Sequence, residues 1–224
     1  MAYLSPEGHQ RVSEAVAAAE AHTAGEIVTV VADRSDGYSD IALAWAALVA
    51  FTALTVYAMF PDFYLGLVDR VTGGWGTEWS TSGVLVLFGT ATMLKFLGTW
   101  LLLLWQPLRF LLIPGPVKSA RARARAIDLF KVGAERRTHG RTGILIYLSM
   151  REHRAEIVAD EAIASKVAPE TWGEAMAAML AEIKQGRCAD GMMAAVERVG
   201  AVLAEHFPRA EDDQNELPDR LIEL

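Results

Sequence analysis

The chain has 224 residues, is 52% hydrophobic and carries a formal net charge of −7 at pH 7. A single cysteine, Cys188, excludes an internal disulfide and suits a reducing compartment; the five histidines show no i, i+4 spacing of the kind that binds zinc. No P-loop, G-x-G-x-x-G, G-x-S-x-G or H-E-x-x-H pattern is present.

In chain order, Ser5 is placed as an N-cap with Pro6 at the first helical position. Val12, Ala15, Val16 and Ala19 then fall on one helical face. "TAGE" ends this helix, with Gly25 suited to a left-handed position. "EIVTVVA" (26–32) is β-branched and reads as a strand, closed by the turn composition "DRSDGY". The first 40 residues hold seven acids and two arginines, with no basic region leading into a short apolar one, so a signal peptide is not expected.

Residues 41–60, "IALAWAALVAFTALTVYAMF", are without charge, and residues 83–105, "GVLVLFGTATMLKFLGTWLLLLW", carry only Lys95. A 20-residue helix spans about 30 Å, the thickness of a bilayer core, so two membrane spans are expected. Charge by segment gives the topology: −5 for 1–40, zero for 41–116, +7 for 117–154 and −9 for 155–224. The basic block starts just past the second span at Lys118, Arg121, Arg123 and Arg125, whereas the loop 61–82 has only Arg70. The positive-inside rule puts the basic side, and with two spans both termini, in the cytoplasm. Anionic lipid headgroups are the expected partner of those four side chains. Nucleic acid is not expected, because "KSARARARA" lacks the interleaved aromatics of a single-strand binder.

Past the second span, 119–138 has a helical pattern with Ile127, Phe130 and Ala134 on one side. "GILIYLS" (143–149) is continuously apolar, as a strand covered on both faces would be, and "AEIVA" (155–159) follows a short charged link, predicting an antiparallel hairpin. Amphipathic helices are predicted over 170–185 and 189–206. Removing 41–116 leaves 148 residues, an ordinary single-domain length. The predicted fold is an α/β sandwich interrupted by a two-helix transmembrane hairpin. Residues 1–40 supply its first helix and strand, 41–116 the hairpin, 117–207 the remainder, and 208–224 an acidic tail in which "LPDRLIEL" is placed to dock.

Three stretches carry a family resemblance. "AEAHTAGEIVTVVADRSDGYSD" resembles the opening helix, turn and first strand of the TPM domain. "RTGILIYLSMREHRAEIVADEAI" is similar to that family's later strand pair, and "GRCADGMMAAVERVGAVLAEHFP" to its closing helix. The order of these motifs, with two spans after the first strand, is most like the bacterial membrane branch. The resemblance implies a TPM-like α/β fold at a bacterial inner (plasma) membrane. It implies links to acid phosphatase activity, to calcium binding, to assembly or repair of membrane protein complexes, and to partners of the LemA type. The charge pattern departs from soluble relatives, which commonly face a lumen or periplasm.

Candidate chemistry centres on carboxylates. Asp33 closes the first strand and Asp160 the last, so parallel placement would bring both to one sheet edge as ligands for Ca²⁺ or Mg²⁺, with Asp36 and Glu161 beside them. The alternative is that Asp33 and Asp160 are turn and helix-capping residues. Arg136, Arg137, His139 and Arg141 precede the central strand and form a candidate anion clamp or a face towards headgroups. Glu152 and His153, at the hairpin tip, are expected to be exposed. Lys95, costly inside a bilayer, either snorkels or meets an acidic residue of a membrane partner. The expected function is a membrane-anchored binding or assembly module for a membrane protein; the alternative is a divalent-metal-dependent phosphatase using the sheet-edge carboxylates.

Overall fold

The computed structural model describes residues 3–74, 78–133, 142–209 and 219–224. In chain order the elements are α1 (Pro6–Glu20), β1 (Glu26–Ala32), α2 (Ser39–Met59), α3 (Pro61–Thr72), α4 (Thr81–Leu102), α5 (Gln106–Leu112), α6 (Gly115–Gly133), β2 (Gly143–Ser149), β3 (Arg154–Ala159), α7 (Glu161–Ala164), α8 (Trp172–Ile183), α9 (Cys188–His206) and β4 (Ile222–Glu223), with a 3₁₀ turn at Pro169–Thr171. They form two compact units, one from residues 1–36 and 114–224 and one from 37–113.

The first unit is built on a sheet of order β3-β2-β1-β4. β1 and β2 run parallel, in register from Glu26↔Gly143 to Ala32↔Ser149, and every residue of both is buried. Such burial follows from two covered faces, which is why these strands read as continuous apolar runs. On one face Ile27, Val31, Ile144, Ile146 and Leu148 share a core with Val12 and Val16 of α1, Met179 of α8 and Met192, Val196 and Leu203 of α9. On the other, Val28, Val30, Leu145 and Tyr147 meet Ala122, Ala126 and Phe130 of α6. The alternation along each strand is the period of two that sends successive side chains to opposite faces. β3 is antiparallel to β2, and β4 adds to the far edge of β1 in parallel.

Local rules account for the helix start. The Ser5 hydroxyl accepts from the Gly8 amide at 3.1 Å and Pro6 opens α1, as the sequence predicts. The role of Gly25 is different from the expected one. The left-handed glycines among the described residues are Gly73 and Gly186. Gly25 is instead fixed by space, since a Cβ there would stand 2.9 Å from Leu203 Cδ1.

The second unit has a different character. α2 and α4 pack on each other and are long and apolar enough to cross a membrane. Ala42, Ala46 and Ala50 form the buried stripe of α2, the small-residue seam that allows close helix approach. Tyr57 stacks on Phe88 at 5.1 Å and meets Tyr64 edge-on at 4.8 Å, tying α2, α3 and α4 together. No residue of α4 is buried, and Leu85, Val86, Met93 and Leu94 are each more than 60% exposed.

Candidate functional site

Because Ala32 lies opposite Ser149, the segments leaving β1 and β2 emerge together at the carboxyl end of the sheet. The backbone holds them there, Met150 N–H donating to the Ala32 carbonyl and Arg151 N–H to that of Asp33, each at 3.0 Å. Arg151 Nε then donates to the Asp33 carboxylate at 2.9 Å, and the Tyr3 hydroxyl donates to the same oxygen. The Tyr3 hydrogen bond, with Arg151 beside it, holds the Asp33 carboxyl below its ordinary range, whereas burial and the nearby Asp33 raise the Tyr3 phenol. Asp36 pairs with Arg121 of α6 at 2.8 Å.

Beneath this pair lies a group the sequence reading places wrongly. Glu152, expected to be exposed at the hairpin tip, is 2% exposed. Its carboxylate accepts from the Ser35 amide at 2.8 Å and from the Ser149 hydroxyl, so both oxygens face donors inside the fold. The Ser35 hydroxyl lies 3.0 Å from that of Tyr147. His153, next along, takes a left-handed conformation with φ 52°. The turn folds Glu152 inward, and a buried carboxylate is tolerated because it is fully hydrogen-bonded. The only signal in the sequence was a hydroxyl residue, Ser149, at the end of an apolar strand; the Ser35 donor is a backbone amide, which leaves no mark on residue type.

Asp160 is elsewhere. β3 runs antiparallel, so its end returns to the amino end of β1, where the Asp160 amide donates to the Gly143 carbonyl at 2.9 Å. Gly143 is in register with Glu26, seven residues before Asp33, which separates the two aspartates by roughly 23 Å at about 3.3 Å per residue. The expectation that they share one sheet edge fails for that reason. Asp160 caps α7, one oxygen accepting from the Glu161 amide at 2.9 Å while the other is buried without a hydrogen-bond partner. Glu161 opens that helix beside it, away from Asp33.

Among the described residues no three His, Cys, Asp or Glu side chains are grouped to hold a metal ion. Ca²⁺ asks for six to eight oxygens. The carboxylates at the Asp33 end are instead turned to arginine, tyrosine, serine and amide donors, so the residues present do not fit the expected cation.

Other candidates divide likewise. Arg136, Arg137, His139 and Arg141 lie outside the described residues. On α6, Arg121 is engaged by Asp36 and Arg123 lies 3.5 Å from Glu156, while Lys118 is half-buried and Arg125 exposed. Cys188 is buried, which pushes its thiol up to about 11, in keeping with a packing role. At the amino end of β1, Glu20 is 7% exposed and accepts from the Ile27 amide at 2.7 Å. Burial, helped by Glu26 and Asp219, pushes its carboxyl up to about 8.

In the second unit, Lys95 lies on the wall of a 440 Å³ cleft with Leu48, Val49, Thr52, Val56 and Tyr64. It has no acidic partner among the described residues.

Residues 111–202 match the TPM domain. No curated protein matches the chain significantly. The NMR structure of the BA42 protein from the psychrophilic bacterium Bizionia argentinensis is similar in fold, with a TM-score of 0.57 at 18% identity, covering 100% of this chain and 97% of that one. The family match begins after β1, and the pairing of β1 with β2 and the packing of α1 on α9 join the earlier segment to it. Residues 111–202 thus carry the likeness to the TPM domain, and the compact unit that holds most of them is assembled from segments on both sides of two long apolar helices.

Proposed function

We propose that the chain is a membrane-anchored TPM-domain protein that binds and holds a membrane protein partner, with α2 and α4 as spans and both termini cytoplasmic. The observation that carries this reading is Lys95 on the wall of an apolar cleft in the hairpin. Lys95 lies seven residues before Leu102, about 10 Å along the helix axis, well inside a span. A lysine there costs roughly 2.5–3.5 kcal/mol on insertion scales, a penalty that an acidic residue in a neighbouring span offsets. The basic residues of α6 favour a cytoplasmic domain, and their exposed members favour contact with anionic headgroups.

The test uses the full chain in its membrane, with a photo-crosslinker at Val49 in the cleft or at Leu85 outside it. A membrane protein captured from Val49, not from Leu85, and lost in Lys95→Met is the expected result. Equal capture in wild type and Lys95→Met overturns the assignment of Lys95. A reporter fused at Leu224 should be active in the cytoplasm only. Metal-dependent phosphate release that falls in both Asp33→Asn and Asp160→Asn would favour the phosphatase instead.

A further inference from the structure

The segment between the two long helices is more than a loop. α3 begins one residue after α2 ends, Phe60 leaving helical geometry with φ −131° and Pro61 starting the new helix. At 12 residues α3 is about 18 Å long, too short to cross a bilayer but ample to lie along one. Phe63, Leu67 and Val71 stand at i, i+4 and i+8 with Tyr64 and Val68 beside them, while Asp62, Gly66 and Asp69 occupy the opposite side together with Leu65. Arg70 borders the stripe next to Phe63, where its long stem can carry the charge out to water. Tyr64 turns to Tyr57 of α2, which fixes the rotation of α3 within its unit. Phe60, Phe63, Leu67 and Val71 remain 56%, 68%, 47% and 80% exposed. At the far end Trp79 Nε1 donates to Asp69 at 3.2 Å, tethering α3 to the residue before the α4 cap.

Four large apolar side chains in one exposed stripe need an occupant, and continuity says which. The stripe starts at Phe60, directly after Met59 of α2, itself 66% exposed, and so prolongs the lipid-facing surface of that helix. An amphipathic helix with aromatic and aliphatic residues on one face and carboxylates on the other is the form that lies in a membrane interface. Phenylalanine here and tryptophan at position 79 stand where a chain leaves the hydrocarbon core, the level at which interfacial aromatics gather. We propose that α3 is an in-plane interfacial helix, inserting Phe60, Phe63, Leu67 and Val71 into the leaflet to which α2 delivers the chain, with Asp62 and Asp69 in water. The inference rests on α2 and α4 being spans, and adds a surface ligand, the lipid itself.

The sequence has one cysteine, which makes a direct test simple. In a Cys188→Ala background, single cysteines replace Phe63, Leu67, Asp62, Gly66 and, within α4, Val86. The full chain is spin-labelled and placed in vesicles of phosphatidylcholine and phosphatidylglycerol. Collisional relaxation is then read with oxygen, which partitions into lipid, and with a nickel chelate, which stays in water. Labels at 63 and 67 should be open to oxygen and closed to nickel, and those at 62 and 66 the reverse. Nickel access at all four α3 positions, with 86 still in lipid, overturns the inference and leaves the spans intact. Labels at 63 and 67 closed to both reagents overturn it too, because protein or a second copy of the chain covers the stripe. Nickel access at 86 as well removes the spanning reading, and this inference with it.

Discussion

The sheet of the first unit and the hairpin of the second use the same residue types in opposite ways. Ile146 and Leu148 are at most 1% exposed between two layers of helix, whereas Leu85 and Leu94 on α4 are 68% and 64% exposed. Apolar surface removed from water stabilises by roughly 25 cal/mol per Å², and α4, an apolar helix of 22 residues, gains little of it, since it packs mainly on α2 and buries no residue fully. In one unit the apolar residues find each other. In the other they stay exposed on two helices long and apolar enough to cross a membrane.

The contrast is most directly broken by truncation. Ile146→Ala should destabilise the first unit by about 2–5 kcal/mol. Leu94→Ala should change it by no more than about 0.5 kcal/mol. Both are measured by denaturant unfolding of the full chain in detergent, followed by the signal of the sheet unit. Equal losses would mean that α4 is packed like a core helix.

The next effect is electrostatic. The Glu20 carboxyl is raised by burial first and by Glu26 and Asp219 after it. Its folded state binds a proton that the unfolded chain releases near 4.5. The stabilisation is therefore fully present below that value and is lost as pH rises through about 8. Glu20→Gln should flatten this loss, worth on the order of a few kcal/mol across the window. Identical unfolding curves against pH for wild type and variant would show that Glu20 is not buried against its neighbours.

Glu152→Ala should cost about 1–3 kcal/mol, because it strands the Ser35 amide and the Ser149 hydroxyl in a buried place. The smallest effect belongs to Arg151→Ala. Arg151 and Asp33 have side chains 38% and 37% exposed, and such a pair contributes about 0.2–1 kcal/mol at most. Chemical denaturation of both variants ranks them. A larger loss from Arg151→Ala than from Glu152→Ala would invert the picture of an outer exposed pair above an inner buried one.

Much of the fold was legible in residue pattern. β1 and β2 could be read to the residue because "EIVTVVA" and "GILIYLS" are apolar at consecutive positions, a demand only a doubly covered strand makes. Ser5 and Pro6 announced α1 for reasons local to four residues. Strand direction was not so local. The antiparallel β3 carries Asp160 to the end opposite Asp33, and the predicted hairpin already implied that return. Glu152 was misplaced because a charged link between strands reads as solvent-facing, and only φ 52° at His153, the distant Ser35 amide and the Ser149 hydroxyl turn it inward. β4 spans two residues, too few for a periodic signal, and its place depends on pairing with Val30 and Val31. Gly25 was assigned to the wrong cause, backbone conformation in place of the methyl of Leu203.

The pairing of Glu26 with Gly143 has a consequence for biosynthesis. β1 leaves the ribosome well before its neighbour, and an unpaired strand of β-branched residues is prone to wrong associations. Read as spans, α2 and α4 pass into the bilayer in that interval and return the chain to the side it left. Insertion thus shortens the free loop that must close before β1 meets β2, lowering the entropy lost in closure. A chain that fails to insert would keep β1 waiting. On that reading, completion of the sheet would double as a check that the hairpin has inserted.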